Sequence, residues 1–173
     1  SGAVWFPTAA VSCYVYDDDH AAIVFSAVKL VIVEGSTATY TVVLRSRPTA
    51  NVVVNPTSGN AADLAVSPAA LTFTPALWNT PQTVTITGVT DSNFEAVADI
   101  AISHTAASSD VDYGSGSAVF MPGSAVAVSL YSTDVAAVEI STSALNLVEG
   151  LMTATYTVKL LSQPTADVTV TPT

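Results

Sequence analysis

The stretch Leu71–Glu95, LTFTPALWNTPQTVTITGVTDSNFE, decides the fold of this chain. Its runs LTFT at 71–74 and QTVTITGV at 82–89 alternate apolar with small or polar residues, which is the period of a strand with one buried face. Proline and asparagine between the runs mark a loop that contains Trp78, and we expect this indole to close one end of the core. The stretch therefore predicts two strands joined by a loop.

The same alternation recurs along the rest of the chain. Further runs of this kind are TYTVVLR at 39–45, NVVVN at 51–55, ADIAIS at 98–103 and AVAVSLY at 125–131. Valine, threonine, isoleucine and tyrosine dominate them, as pleated strands favour. Amphipathic helical patterns are not evident, and residues 61–64 indicate one short turn. About seven strands in a unit of about 115 residues predict an all-β fold, an antiparallel two-sheet sandwich of immunoglobulin-like size.

The chain is similar to itself at a spacing of about 115 residues. Residues 11–35 align with residues 126–150. After a one-residue insertion, ATYTVVLRSRPTANVVVNPT at 38–57 aligns with ATYTVKLLSQPTADVTVTPT at 154–173. A spacing of this length is that of a whole domain, not of a solenoid turn.

The alignment predicts three pieces of a tandem array. Residues 1–20 would end one repeat, residues 21–135 would form a complete β-sandwich repeat, and residues 136–173 would supply the first strands of a following repeat. Two or three strands do not close a hydrophobic core by themselves. If both partial repeats are ordered, we therefore expect something outside this chain to complete them.

The charge balance excludes several classes of partner. The chain has 14 acidic and 4 basic residues and a formal net charge of −10, which argues against nucleic-acid binding and against anionic lipid. Charged residues make up 10% of the sequence, so much of the surface must be serine, threonine and alanine, which suits lateral packing in an assembly. No apolar run approaches the ~20 residues of a membrane helix, which predicts no membrane insertion within this segment.

Residues that commonly carry catalysis are few. Neither histidine, His20 or His104, has evident partners in the sequence, and His104 is expected at the end of a strand. The single cysteine, Cys13, allows no intrachain disulfide and is expected to be a small buried apolar residue. Nucleophile elbows, metalloprotease motifs and phosphate-binding loops are absent from the sequence. We therefore expect a protein that is not an enzyme.

Several blocks of the sequence resemble the Calx-β-like repeats. They are VEGSTATYTVVL at 33–44, the 71–95 stretch, SSDVDYG at 108–114, and an aspartate closing an apolar strand. Such repeats occur in the cytosolic loop of sodium/calcium exchangers, with relatives in large extracellular adhesins and surface proteins. The resemblance covers the whole repeat and implies an immunoglobulin-like sandwich that binds calcium at one tip.

The resemblance also implies which residues would bind that calcium. Glu34 matches an early glutamate, and Asp91 and Glu95 match an acidic turn whose second aspartate is Ser92 here. Asp134 matches a terminal acidic cluster that has two or three acids in fuller members of the family. Calcium takes six to eight oxygen ligands, several of them carboxylates. The alternative is that these acids are solvated or cap turns.

A second acidic group precedes the complete repeat. Asp17, Asp18 and Asp19 align with the end of that repeat, where Asp134 is the counterpart of Asp19. The resemblance makes them the terminal cluster of a calcium site in the preceding repeat, with partners outside this chain. Asp110 and Asp112 fall in a loop that the resemblance does not place.

Together these features favour a non-catalytic structural or assembly module. We expect a spacer or fibre-forming repeat of a large extracellular or cell-surface protein, such as an adhesin or a flagellar or ciliary surface fibre. Its partners would be adjacent repeats and neighbouring subunits. The alternative is a calcium-binding regulatory or adhesive module. A third interpretation, a carbohydrate- or ice-binding surface, depends only on the threonine row TVTIT at 83–87.

Overall fold

The computed structural model describes residues 20–114, 125–147, 149–150 and 153–171. The described residues contain strands and turns and no helix. The strands are β1 (Ile23–Phe25), β2 (Lys29–Val33), β3 (Thr37–Leu44), β4 (Val52–Ser58), β5 (Leu64–Ser67), β6 (Leu71–Phe73), β7 (Gln82–Gly88), β8 (Ala98–Ser108), β9 (Ala125–Tyr131), β10 (Val138–Ile140) and β11 (Val158–Leu160).

The first nine strands form two sheets with one core between them. One sheet has the order β1-β3-β7-β5, and the other has the order β2-β9-β8-β4-β6. The all-β sandwich that the alternation predicts is therefore confirmed. Strands β10 and β11 pair with each other in a separate two-stranded sheet.

The pairing of β2 with β9 differs from the prediction. These strands are parallel, with Lys29 opposite Ala127 and Val33 opposite Tyr131, whereas the sequence predicted a wholly antiparallel sandwich. The cause is that the leading segment changes sheets: β1 pairs with β3, and after a short bend β2 joins the other sheet. The predicted turn at residues 61–64 is also shorter, because Leu64 already begins β5.

The core is built from alternate residues of facing strands, as the period of two requires. On β3 and β7 the inward side chains are fully or almost fully buried, while the threonines between them point outward. Each fully buried aliphatic side chain contributes about 1.5–3 kcal/mol of hydrophobic stabilisation. The largest buried side chains are Tyr40, Tyr113, Phe73, Ile23, Leu64, Ile86 and Ile102. Trp78, in the loop after β6, is half-buried and packs against this core.

A polar pair lies inside the core. His104 is buried in the middle of β8, not at a strand end as the sequence suggested. Its Nε2 lies 2.6 Å from the Tyr40 hydroxyl, and its ring lies 4.3 Å from that of Phe25. Burial raises the pKa of Tyr40 far above its ordinary value, so the phenol keeps its proton. The pair is a satisfied core contact.

Tyr40→Phe should lower the free energy of unfolding by about 1–2 kcal/mol, because it removes one buried hydrogen bond to His104 and leaves the aromatic packing in place. Urea denaturation measures this change. Tyr131→Phe is the matched control, since its side chain is 44% exposed, and it should change stability by less than about 0.5 kcal/mol. Equal effects of the two substitutions would contradict a buried role for the Tyr40 hydroxyl.

Asp110 ties together two loops at the end of the sandwich where β3 and β8 finish. Its buried Oδ2 accepts hydrogen bonds from the Thr49 N–H (2.6 Å) and the Thr49 hydroxyl (2.8 Å), and Oδ1 accepts one from the Asp112 N–H. The Tyr113 hydroxyl donates to the Ser46 carbonyl nearby. The hydrogen bond from the Thr49 N–H is the largest cause of a lowered pKa for Asp110. Asp110 therefore has a structural role.

Candidate metal centre

Glu34 lies in the tight turn between β2 and β3. Its N–H donates to the Tyr131 carbonyl, and the next N–H, of Gly35, donates to the Gly88 carbonyl, each at 3.0 Å. Gly35 has a φ of 73°, in the left-handed region that favours glycine. These bonds fix the turn against the end of β7 and the end of β9. The Glu34 side chain is only 7% exposed.

Gly88 permits the close approach that places this turn. A Cβ at this position would lie 2.9 Å from Leu130 Cδ1, 3.0 Å from the Val33 carbonyl oxygen and 3.2 Å from Glu34 Cα. Two of these neighbours are backbone atoms, which cannot move without shifting the turn. A side chain at position 88 would therefore displace Glu34.

The carboxylate of Glu34 is held by the segment that follows β9. Its Oε2 accepts hydrogen bonds from the Thr133 N–H (3.1 Å) and the Thr133 hydroxyl (3.2 Å). The Ser132 hydroxyl lies 3.5 Å from the same oxygen and 3.3 Å from the Asn93 carbonyl. Segments from the beginning, middle and end of the β1–β9 sandwich therefore meet near Glu34.

The loop between β7 and β8 contributes Asp91 and Glu95. Asp91 accepts hydrogen bonds from the Asn93 backbone N–H (2.7 Å) and the Asn93 amide group (3.0 Å), which turns the chain back on itself. One carboxylate oxygen from each of Glu34, Asp91 and Glu95 lies within 4.8 Å of the others. Three of the four acids predicted to bind calcium in the complete repeat are therefore clustered.

Asp134 lies beside the cluster. Its N–H donates to the Ser132 hydroxyl at 3.1 Å. Its Oδ2 is buried and has no hydrogen-bond partner within the described part of the chain. A buried carboxylate oxygen without a donor is costly, and a bound cation would satisfy it.

The pKa of Glu95 is raised by burial and by the carboxylates around it. Burial raises this pKa most, and the negative charges of Asp91, Asp63, Glu34 and Asp134 raise it further. Asp134 is therefore an electrostatic neighbour of Glu95, as the Calx-β-like resemblance implied for residues of one site. Asp63 was not predicted. The sequence feature that could have indicated Asp63 is the turn that begins at Asn60. In this turn the Asn60 side-chain amide donates to the Asp63 carboxylate at 2.7 Å and holds Asp63 just before β5.

The arrangement suits a hard divalent cation. All the side-chain ligands that it offers are oxygens, and neither a histidine nor a cysteine belongs to the cluster. A cation between the carboxylates would replace their mutual repulsion with attraction. The other predicted acids, Asp17, Asp18 and Asp19, lie outside the described residues, as does Cys13.

Solved structures share the architecture. The apo-form Calx CBD1 domain matches with a TM-score of 0.51 and 16% identity, over 67% of this chain and 100% of that domain. The matching two thirds of this chain have the fold of a Calx CBD1 domain. At this identity the likeness establishes the fold alone.

Other similarities are weaker. The calcium binding domain CBD12 of CALX1.1 matches at a TM-score of 0.47 and 17% identity, over 64% of this chain and 44% of that one. Domains 4 and 5 of the S-layer protein SbsC match at 0.34 and 20% identity, over 64% and 50%. No family model and no curated protein sequence matches this chain. None of the described residues form a helix long and apolar enough to cross a membrane.

Proposed function

We propose that the β1–β9 sandwich is a non-catalytic structural module that binds one calcium ion at its acidic tip. The observation that carries this proposal is the meeting of Glu34, Asp91 and Glu95 within 4.8 Å beside the unpartnered buried oxygen of Asp134. Four carboxylates in one place cost several kcal/mol of repulsion unless protons, water or a cation screen them. The cation would link three segments that are far apart in the sequence.

The ligand chemistry favours calcium over other metals. Calcium accepts six to eight oxygens in irregular geometry, which suits carboxylates delivered by separate loops. Zinc and copper sites usually include imidazole or thiolate, and the cluster has neither. A set of about four carboxylates, with no dedicated binding loop, is typical of affinities in the millimolar range of extracellular modules.

We further infer that the module is a repeat in an array at the cell surface, with adjacent repeats as its partners. In support, the segment after β11 contacts the loop that contains the cluster: the Gln163 N–H donates to the Ser92 carbonyl at 2.6 Å, and Asn93 forms a β-bridge with Gln163. The low content of charged side chains suits lateral packing between copies. A catalytic role has no support from His104, which is buried against Tyr40.

Calorimetric titration with calcium tests the site. The pH dependence of calcium binding should follow from the protonation of Glu95. The pKa of Glu95 is raised in the folded protein, so between the ordinary glutamate pKa and this raised value the folded state binds more protons than the unfolded state. Without calcium, the stability contribution of Glu95 therefore falls as pH rises through that window. Calcium must displace the proton, so its affinity should rise as pH rises.

We expect calcium to bind more weakly at pH 5 than at pH 7.5, because the raised pKa of Glu95 makes calcium compete with a proton at the lower pH. Glu95→Gln should bind calcium more weakly at pH 7.5 and should flatten the pH dependence. No binding at millimolar calcium would refute the proposed site. Binding with the same pH dependence in Glu95→Gln would show that calcium binds elsewhere.

A further inference from the structure

The β10–β11 hairpin reproduces the β1–β3 pair of the complete sandwich. In the complete sandwich Ile23 lies opposite Leu44 and Phe25 lies opposite Val42. In the hairpin the aligned residues pair in the same way: Val138 lies opposite Leu160, and Ile140 lies opposite Val158. The one-residue insertion in the second copy lies before β11. The pairing of β10 with β11 therefore has the same register as the pairing of β1 with β3.

The hydrogen bonds that flank the two pairs also correspond. In the sandwich the Ser26 N–H donates to the Thr41 carbonyl (2.9 Å), and the Thr41 N–H donates to the Ser26 hydroxyl (2.8 Å). In the hairpin Ser141 and Thr157 form the same two bonds, at 3.0 and 2.9 Å. The hairpin therefore has the geometry of the opening strands of a second sandwich.

The apolar face of the hairpin is open where the equivalent face of the sandwich is buried. Tyr40 is 2% exposed, whereas its counterpart Tyr156 is 43% exposed. Ile140, the counterpart of the buried Phe25, is 54% exposed. An open groove of about 450 Å³ lies on this side and is lined by residues that include Ile140, Leu145, Tyr156, Val158 and Val170.

One edge of the hairpin lacks the neighbour that it has in the complete sandwich. There β3 pairs with β1 on one side and with β7 on the other, and Thr37 to Val42 lie opposite Thr87 to Gln82. Among the described residues β11 pairs with β10 alone. We propose that the segment 153–160 is a strand acceptor, and that its occupant is a strand with the pattern of β7.

The sequence of the acceptor argues for this occupant. Residues 153–160, TATYTVKL, differ from β3, TATYTVVL, only at Lys159, so the edge that β7 recognises is present in full. In β7 the inward residues Val84 and Ile86 alternate with threonines that face outward. A strand of this pattern would satisfy the backbone groups of the free edge and extend the apolar face, as in β-strand addition.

A tethered strand tests the proposal. The full chain is extended after Thr173 by a flexible glycine/serine linker and a copy of residues 80–90, which gives an effective concentration in the millimolar range. Hydrogen exchange of the amides in residues 153–160 should then slow by about tenfold relative to the unextended chain. The control carries Val84→Asp and Ile86→Asp in the tethered copy only, so the complete sandwich keeps its own β7, and it should leave the exchange unchanged.

Two results would overturn the proposal. One is equal protection by both tethers, or by neither, since the pattern of β7 would then have no part in binding. The other is self-association of the unextended chain with protection of the same amides, measured by light scattering together with hydrogen exchange. In that case a second hairpin, not a β7-type strand, occupies the edge.

Discussion

Saturating calcium should raise the melting temperature of this chain by about 10 °C. A ligand present at about a hundred times its dissociation constant stabilises the folded state by about 2.7 kcal/mol, and each kcal/mol shifts the melting temperature of a domain of this size by about 4 °C. The effect is large because the ion would bind only after Glu34, the 91–95 loop and the segment after β9 have come together. Differential scanning calorimetry with calcium and with a chelator measures it.

Glu34→Gln should abolish this calcium-dependent shift. The amide oxygen of glutamine can still accept the hydrogen bonds from Thr133, so the turn is retained while the negative charge is lost. Asp134→Asn should act in the same direction. The control is Asp167→Asn, which makes the same change of charge at an exposed residue outside the cluster and should keep the full shift. A shift that survives Glu34→Gln, or one that magnesium reproduces in full, would contradict a calcium site at this tip.

Asp110→Ala should destabilise the sandwich by roughly 3 kcal/mol. Hydrogen bonds to a buried carboxylate contribute about 1.5–3 kcal/mol each, and the substitution leaves the N–H groups of Thr49 and Asp112 without their acceptor. Chemical denaturation in a calcium-free buffer separates this effect from the acidic tip. Asp99→Ala is the control, because the exposed Asp99 accepts one hydrogen bond from Ser129, and it should cost less than about 1 kcal/mol.

The pH dependence gives a second measure of Asp110. The pKa of Asp110 is lowered in the folded state, chiefly by the hydrogen bond from the Thr49 N–H. The ionised carboxylate therefore contributes to the free energy of unfolding above the ordinary aspartate pKa. This contribution is lost as the pH falls through the lowered pKa. The difference in stability between the native chain and Asp110→Ala should therefore narrow in acid. A difference that stays constant down to the acid transition would contradict a role for the ionised carboxylate.

The sequence predicted the strands well because each needs only local information. Alternation of apolar and polar residues places Val84 and Ile86 on the inner face of β7 whatever strand lies beside it. The neighbours of a strand depend on the whole chain, which is why the parallel pairing of β2 with β9 was not predicted. Burial of His104 in mid-strand was missed for the same reason, since its partner Tyr40 lies 64 residues away.

The acidic tip was predicted in part through a resemblance to a known family. The spacing of Asp91 and Glu95 within one loop is visible in the sequence, and the structure places both beside Glu34. That Asp63 would join them depends on how β5 packs beside β7, which no spacing along the chain reveals. The unpartnered oxygen of Asp134 is a property of burial and is likewise absent from the sequence.

The parallel pairing of β2 with β9 has a mechanical consequence. These are the second and the last strands of the sandwich, and five residue pairs join them side by side. Tension applied to the start of β2 and the end of β9 pulls the two strands in opposite directions along their own axes. The hydrogen bonds between them are then loaded in shear and must break together, whereas an antiparallel pair pulled from one end would unzip one bond at a time. The sandwich should therefore resist stretching along the line that joins the start of β2 to the end of β9.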